Sequence, residues 1–480
     1  MAMGDPWELA SPLDYRYGRQ AMRSLFSLGG RLAAQARVEG ALAMAQSTLG
    51  AIPLAHAQRI DAVCQDTTLW SAQRVQQIED EIHHDIMALV RTLAEATGSD
   101  AGGFIHLGAT SNDIIDTASA LQITAGLALL EEELREQVVL AEQLARTHKR
   151  TIMMGRTHGQ WALPTTFGLK MAVHMDEVLR HLQRLRDLHP RIAVGKLTGA
   201  VGTAAGLGPH AQELERRLMQ SLGLSPAAAT TQVLQRDRYV ELVSVLANVC
   251  ATMEKFATEV RLLQRSEVAE VSEYFDSQRQ VGSSTMAHKR NPILAENICS
   301  LSRVVRGYLI PVFDNVPMWH ERDLTNSAGE RLILPHVFML SDEVVSRTNT
   351  LLRRLRVHPQ QMQRTIDDSR GMVMAEAIML ALVRSGVGRQ DSHELVRKGA
   401  MAAHEQGRSL QEVLSLVPEV RGPFSAEEWD ALFEATSYIG RAPQIVEEVI
   451  SRAAEDLTRA PAYASHHWVP RLPTKTPTPG

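Results

Sequence analysis

Apolar residues along this chain recur at three- and four-residue spacing, and no alternating pattern persists. Leu127, Leu130, Leu134, Val138, Ala141 and Ala145 make one stripe, with Glu131, Glu132 and Glu136 among its polar positions. Met171, Met175, Val178, Leu182 and Leu185 make a second, and Leu242, Val245, Val249, Met253, Phe256, Val260 and Leu263 a third. Leu294, Ile298, Leu301, Val305 and Tyr308 repeat the pattern once more. A 3.6-residue period brings such positions onto one helix face, so four long helices are predicted. Long helices with narrow apolar seams bury them side by side, which makes an all-α bundle the expected fold. Part of their apolar width is expected to face other subunits, because a single bundle offers it few partners.

The flanks differ from this centre. Residues 1–114 read as an N-terminal domain of shorter helices, and 115–359 as the central long-helix bundle. Residues 360–460 read as a C-terminal helical domain, entered through Asp367-Asp368-Ser369-Arg370-Gly371 and broken near Gly386, Gly388 and Pro423. The Pro- and Thr-rich stretch 461–480 is expected to be a disordered tail. At 480 residues the chain can bury a large core, and its net charge of −5 is spread among interspersed acids and bases. That balance points to neither nucleic acid nor an anionic membrane as a partner. Cys64, Cys250 and Cys299 are far apart and form no CxxC pair, so they read as reduced thiols, with no metal site. Asp5, Glu8 and Asp14 interrupt the first fifteen residues, which lack a secretory pattern, and no apolar run approaches the roughly 20 residues of a membrane span. A soluble cytoplasmic protein is expected.

Five polar clusters carry the candidate chemistry. The loop 282–292, Gly-Ser-Ser-Thr-Met-Ala-His-Lys-Arg-Asn-Pro, lies between two helical stripes. It offers hydroxyls, including Ser283, together with Lys289 and Asn291, in a chain with only seven lysines against forty-three arginines. It reads equally as a solvated connection whose Gly and Pro stop helices. Gly155-Arg156-Thr157-His158-Gly159-Gln160 sets a histidine between glycines ahead of a helix, where it suits proton donation or merely fills a capping loop. In His106-Leu107-Gly108-Ala109-Thr110-Ser111-Asn112-Asp113, Thr110 and Ser111 open a helix and could bind a carboxylate or act as a plain N-cap. His83-His84-Asp85 falls in a helical run, where adjacent side chains point about 100° apart and cannot easily share a metal ion. In the stretch Trp319 to Arg331, Ser327 and Arg331 are four apart and share a helix face, fit to clasp a phosphate or to form a polar pair on a wet helix. Gly202, Gly206 and Gly208 follow no strand, and no HExxH, GxSxG or P-loop pattern occurs, so dinucleotide, hydrolase and kinase readings lack support.

Together these blocks resemble the fumarase/aspartase superfamily over roughly residues 11–455, most of all its adenylosuccinate lyase branch. The loop resembles the family's GSSxMPxKxNP mobile loop, with Ala287 in place of proline, and the Lys-Arg-Asn-Pro ending is similar to that branch. The resemblance implies three helical domains, a homotetramer with a larger shared bundle, and active sites built from three subunits. It implies β-elimination from an N-substituted succinate with release of fumarate, a small-molecule reaction that calls for no metal or organic cofactor. By the same match, Ser283 is the base, His158 the general acid and Lys289 the charge that stabilises the carbanion, with Glu296 keeping His158 charged. Thr110, Ser111 and Asn291 would hold the succinyl part. His84, Asp85, His106, Gln232, Arg322, Ser327, Arg331 and the pair Arg16-Tyr17 would hold the rest of a nucleotide substrate. Adenylosuccinate is the favoured substrate, with SAICAR as a possible second. A relative that releases nitrite from nitrosuccinate is the main alternative, and a catalytically silent structural relative a remote one.

Overall fold

The computed structural model describes residues 11–276, 278, 285–286, 288–466, 468–470 and 472. Three apolar clusters organise it. After two short helices, Pro12–Tyr15 and Gln20–Phe26, the helices Leu28–Ser47 (α1), Leu54–Gln65 (α2), Ala72–Ile82 (α3) and Asp85–Thr97 (α4) bury Leu42, Ile60, Ile78 and Leu89 in one cluster. The next helix, Ser111–Thr147 (α5), begins in this cluster with Ile114, Ala118 and Leu121 and then leaves it to enter the bundle. One 18-residue window of α5 is long and apolar enough for a membrane span, but 83% of that window is buried inside the protein. Its apolar residues are core, not a lipid-facing surface.

The bundle is formed by α5 with Phe167–Ile192 (α6), Asp237–Leu263 (α7), Ile293–Gly307 (α8) and Ser327–Arg354 (α9). The stripes fall where their spacing places them. Met171, Met175, Val178, Leu182 and Leu185 of α6 are all buried, and Ile298, Leu301 and Val305 of α8 likewise. Burying each such side chain contributes about 1.5–3 kcal/mol. Thr166 caps α6 by accepting from Leu169 N at 3.1 Å, which fixes where that helix starts. Residues beyond 360 divide between two clusters. Ile366 to Ala435 pack as a separate group with Ile152 and Met154, whereas the helix Ala442–Thr458 (α10) lays Val446, Val449, Ile450 and Ala453 on the bundle. Residues 461–466, expected to start the tail, are packed. Tyr463 is fully buried, donates its hydroxyl to Leu185 O at 3.0 Å, and its backbone N–H meets Glu131.

Strands are few and short. Ile152–Thr157 (β1) pairs antiparallel with Gln160–Thr166 (β2), and Val271–Ser272 (β3) with Arg356–Val357 (β4). The β1–β2 hairpin is the main departure from the all-helical expectation. It occupies the segment expected to lead straight into a helix.

Candidate active site

Thr110 is the N-cap of α5, and its backbone N–H donates to Asp113 Oδ2 at 2.9 Å. Asp113 is wholly buried and also accepts from Thr198 N at 3.0 Å, Gly199 N at 3.1 Å and the buried ammonium of Lys196. One carboxylate thus ties the start of α5 to the 196–199 segment and sets the Thr110–Ser111 backbone. Gln232 reaches the same place, donating Nε2 to Thr110 Oγ1 at 3.3 Å and accepting from Arg322 Nη1 at 3.2 Å.

His83 and His84 do not lie within one helix. His83 takes a left-handed conformation (φ 54°) that ends α3, and His84 becomes the N-cap of α4, its Nδ1 accepting from Met87 N at 3.4 Å. The break swings Asp85 towards α9, where Arg331 Nη2 meets its Oδ2 at 2.6 Å. Ser327 opens α9, and Arg331 follows one turn later on the same face. His84, Asp85, Ser111, Gln232, Arg322 and Arg331, with Ser327, line one cleft of about 500 Å³. A smaller chamber of about 230 Å³ adjoins it, sharing Asp85, Arg322, Ser327 and Arg331. Sequence blocks 246 residues apart, holding Asp85 and Arg331, therefore meet at one end of the bundle.

The wall of that chamber is fastened by a group that spacing did not reveal. Arg236, 2% exposed, bonds Asp116 Oδ1 and Oδ2 at 3.0 Å each and Glu330 Oε1 and Oε2 at 2.8 and 3.0 Å. Burial opposes its charge, but Asp116 and Glu330 outweigh that and raise its pKa well above the usual guanidinium value. The clasp joins α5, the start of α7 and the first turn of α9.

The other described candidates lie elsewhere in the chain. His158 and Gly159 are the two residues of the β1–β2 turn, both at positive φ (54° and 74°), with Thr157 paired to Gln160. This is the primed geometry that suits a two-residue hairpin, and it holds His158 exposed at the tip. A non-glycine residue in that conformation stores strain of about 1–2 kcal/mol, as often occurs at functional positions. Arg156 anchors the hairpin through a bidentate pair with buried Glu270 at 2.9 and 2.7 Å, next to β3. From β3 the chain runs into the 282–292 loop. The neck of that loop is closed by Glu273, which accepts from Leu294 N at 3.1 Å and Ala295 N at 2.7 Å. Burial raises the Glu273 pKa, and these N–H groups oppose the rise.

Ser283 lies outside the described residues. Lys289 and Asn291 flank the loop's exit, with Lys289 N bonded to Met286 O at 3.0 Å. Glu296 is exposed in the first turn of α8, and no hydrogen bond or ion pair joins it to His158 within this chain. His106 is held by Glu39, Nδ1 to Oε1 at 2.7 Å, and is not among the side chains that line the cleft. Burial disfavours its charge, but the Glu39 carboxylate and Asp113 raise its pKa above the ordinary value. Arg16 and Tyr17 follow the Pro12–Tyr15 turn of helix, where Arg347 lies 5.7 Å from the Tyr17 ring centroid and Gly18 N donates to Glu343. Among the described residues, this cleft of about 500 Å³ therefore stands apart from the hairpin, the loop's exit and the Arg-Tyr pair. Glu39, Asp116, Arg236, Glu270 and Glu273 escaped sequence reasoning. Each acts through a partner far away in the chain, and no local pattern marks it.

The lyase family model matches residues 8–307, and that for the adenylosuccinate lyase C-terminus matches 371–449. The chain is 47% identical over 445 residues to the adenylosuccinate lyase of Pyrococcus abyssi, covering 92% of this chain and 98% of that one. To the adenylosuccinate lyase of Methanocaldococcus jannaschii it is 43% identical over 439 residues, covering 92% and 95%. Among solved structures it is similar to the 3-carboxy-cis,cis-muconate lactonizing enzyme of Pseudomonas putida, with a TM-score of 0.85, 32% identity and coverage of 92% and 98%. A fumarate lyase from Mesorhizobium sp. BNC1 gives a TM-score of 0.83 at 33% identity, covering 90% and 98%. The chain belongs to the fumarase/aspartase superfamily of lyases, and within it to the adenylosuccinate lyases.

Proposed function

We propose that this protein cleaves adenylosuccinate to AMP and fumarate, as a carbon–nitrogen lyase acting on a small-molecule substrate. The observation that carries this reading is the convergence of Arg322, Ser327 and Arg331 with His84-Asp85 and Ser111 in one cleft, where Thr110 bonds the cleft residue Gln232. Guanidinium groups and a serine at a helix N-terminus suit a phosphate. The hydroxyls and N–H groups at the start of α5 suit a succinyl carboxylate.

The proton to be removed lies beside a carboxylate, so the carbanion formed is a dianion that needs fixed positive charge. Ser283 takes that proton, and Lys289 with Asn291 stabilises both the serine alkoxide and the dianion. The electron pair then forms the fumarate double bond as the C–N bond breaks, and His158 protonates the departing nitrogen. Glu296 keeps the imidazole charged. Since His158, Lys289, Asn291 and Arg16-Tyr17 are not among the described residues that line the cleft of their own chain, a homotetramer with shared sites supplies them, together with the rest of the loop, from neighbours. His106 belongs to the same assembled site, where, against burial, Glu39 and Asp113 favour its charged form. The same cleft suits SAICAR, whose succinyl and phosphate groups present the same charges. A cytoplasmic setting fits reduced, buried Cys64, Cys250 and Cys299.

Fumarate release by the purified protein tests this, with adenylosuccinate, SAICAR and nitrosuccinate supplied in parallel. Turnover of adenylosuccinate that disappears in Ser283→Ala, with the oligomer intact, is the expected result. Turnover of nitrosuccinate alone would overturn the substrate assignment and leave the elimination chemistry standing.

A further inference from the structure

Arg31 differs from the other arginines around the cleft. It lies in the first turn of α1 and lines the smaller chamber beside Arg322, Ser327 and Arg331. Arg331 is paired with Asp85, Arg236 is held by two carboxylates, and Arg322 rests on Gln232. The Arg31 guanidinium makes no hydrogen bond or ion pair among the described residues, and its Nε is buried without a partner. Burial lowers its pKa first, and the charge of Arg331 lowers it further; Asp85 and Glu79 stand too far away for an ion pair and offset only part of this.

A half-buried cation with no counter-charge is costly, because its hydration is lost and nothing replaces it. A second cation nearby adds to the cost. Such a position is tolerable when an anion completes it. The chamber opens onto the cleft at Ser327 and Arg331, so an anion seated there would meet two guanidinium groups from different helices and a hydroxyl at a helix N-terminus. The acids around it are already engaged: Asp85 with Arg331, Glu330 with Arg236, and Asp323 with Trp319 N and Thr325 N. Glu79 is the one other carboxylate lining the cleft.

We propose that Arg31 is a binding residue for an oxyanion of the substrate, and the neighbouring Ser327 and Arg331 make the nucleotide phosphate the expected one. This rests on the adenylosuccinate reading, which also requires a phosphate in the cleft. The test compares wild type with Arg31→Gln and Arg31→Lys. It measures steady-state kinetics on adenylosuccinate, inhibition by AMP, adenosine and fumarate, and the thermal shift produced by inorganic phosphate.

Arg31→Gln is expected to raise KM and the AMP inhibition constant about tenfold or more, with kcat within about twofold and adenosine inhibition unchanged. Arg31→Lys should recover most of the loss. If fumarate inhibition weakens instead, the oxyanion contact stands and its source is the carboxylate. Equal effects on AMP and adenosine, or none on AMP, fumarate and phosphate, would overturn the proposal. Thermal unfolding separates binding from folding: removing an uncompensated charge should leave the ligand-free melting temperature unchanged or higher, while the phosphate-induced rise seen in wild type shrinks. A marked fall in the ligand-free value would count against the proposal. Should the wild type fail to cleave adenylosuccinate, the functional reading fails, and the phosphate shift still decides the role of Arg31.

Discussion

Glu330 immediately precedes Arg331 in the first turn of α9, yet its carboxylate is committed to Arg236, two-pronged at 2.8 and 3.0 Å. It also accepts from Asn326 Nδ2 at 2.9 Å, so the helix start is braced from two sides. Its effect on a substrate would pass through the placement of Ser327 and Arg331. Breaking a buried pair by removing one partner costs about 3–5 kcal/mol, and because Asp116 remains to compensate Arg236, the lower end is expected here. Glu330→Gln should therefore cost about 3 kcal/mol in denaturant unfolding and raise KM by more than it lowers kcat. Asp116→Asn combined with Glu330→Gln should depart from additivity, as expected of one network. An unchanged KM in Glu330→Gln would show that the clasp does not position the cleft. At this scale, the residues legible in the sequence were those standing in compact polar blocks, such as Thr110-Ser111 and Ser327 with Arg331. The residues that hold them were not: Arg236 lies 120 positions from Asp116 and 94 from Glu330, and only the packing of three helices shows that they meet.

Helices α6 and α7 bury two histidines in the seam between them. His174 stacks on Phe256 with ring centroids 4.4 Å apart, and its Nε2 accepts from Gln137 Nε2 at 3.1 Å. His181 Nε2 lies 2.9 Å from Thr252 Oγ1, and its Nδ1 accepts from Arg184 at 3.3 Å. Burial, helped by Lys255 for His174 and by Arg184 and Arg180 for His181, pushes both down to about 3. Both are therefore neutral in the fold and charge on unfolding as the pH falls below about 6.5. Their contribution to stability is complete above that value and is lost as the pH falls towards 3, by up to about 1.4 kcal/mol per pH unit for each histidine. Urea midpoints should drop steeply between pH 6.5 and 4, and His174→Gln with His181→Gln should flatten that limb. A limb of unchanged slope in the double variant would remove these histidines as its cause. The seam itself was legible, since Met171, Met175, Val178, Leu182 and Leu185 mark it at helical spacing. The β1–β2 hairpin was not. Its strands alternate poorly, and its turn places a histidine, where Asn or Asp is usual, before Gly159.

At the scale of the whole molecule, the described candidate site residues fall into groups that stand apart within one chain. Ser111, Gln232, Arg322, Ser327 and Arg331 line the cleft, whereas His158 stands on an exposed hairpin tip and Lys289 at the loop's exit. Exposed apolar residues accompany this division: Ile310 is 73% exposed and Trp319 79%, each the kind of side chain that burial between copies would cover. If neighbouring subunits complete each site, two variants inactive for different reasons can repair one another. His158→Gln removes the proposed acid and Arg331→Ala removes a cleft guanidinium, and each alone should be nearly inactive. In a mixed oligomer, some sites would draw an intact hairpin from one chain and an intact cleft from another. Unfolding and refolding the two together should therefore restore a substantial fraction of wild-type turnover, whereas each refolded alone should stay inactive. Mixing His158→Gln with Lys289→Ala serves as a second pair and reports whether hairpin and loop come from the same subunit or from different ones. Recovery in the first mixture would require an interface that carries catalysis. Persistent inactivity in a mixture shown to contain hybrid oligomers would mean that the hairpin closes onto the cleft of its own chain.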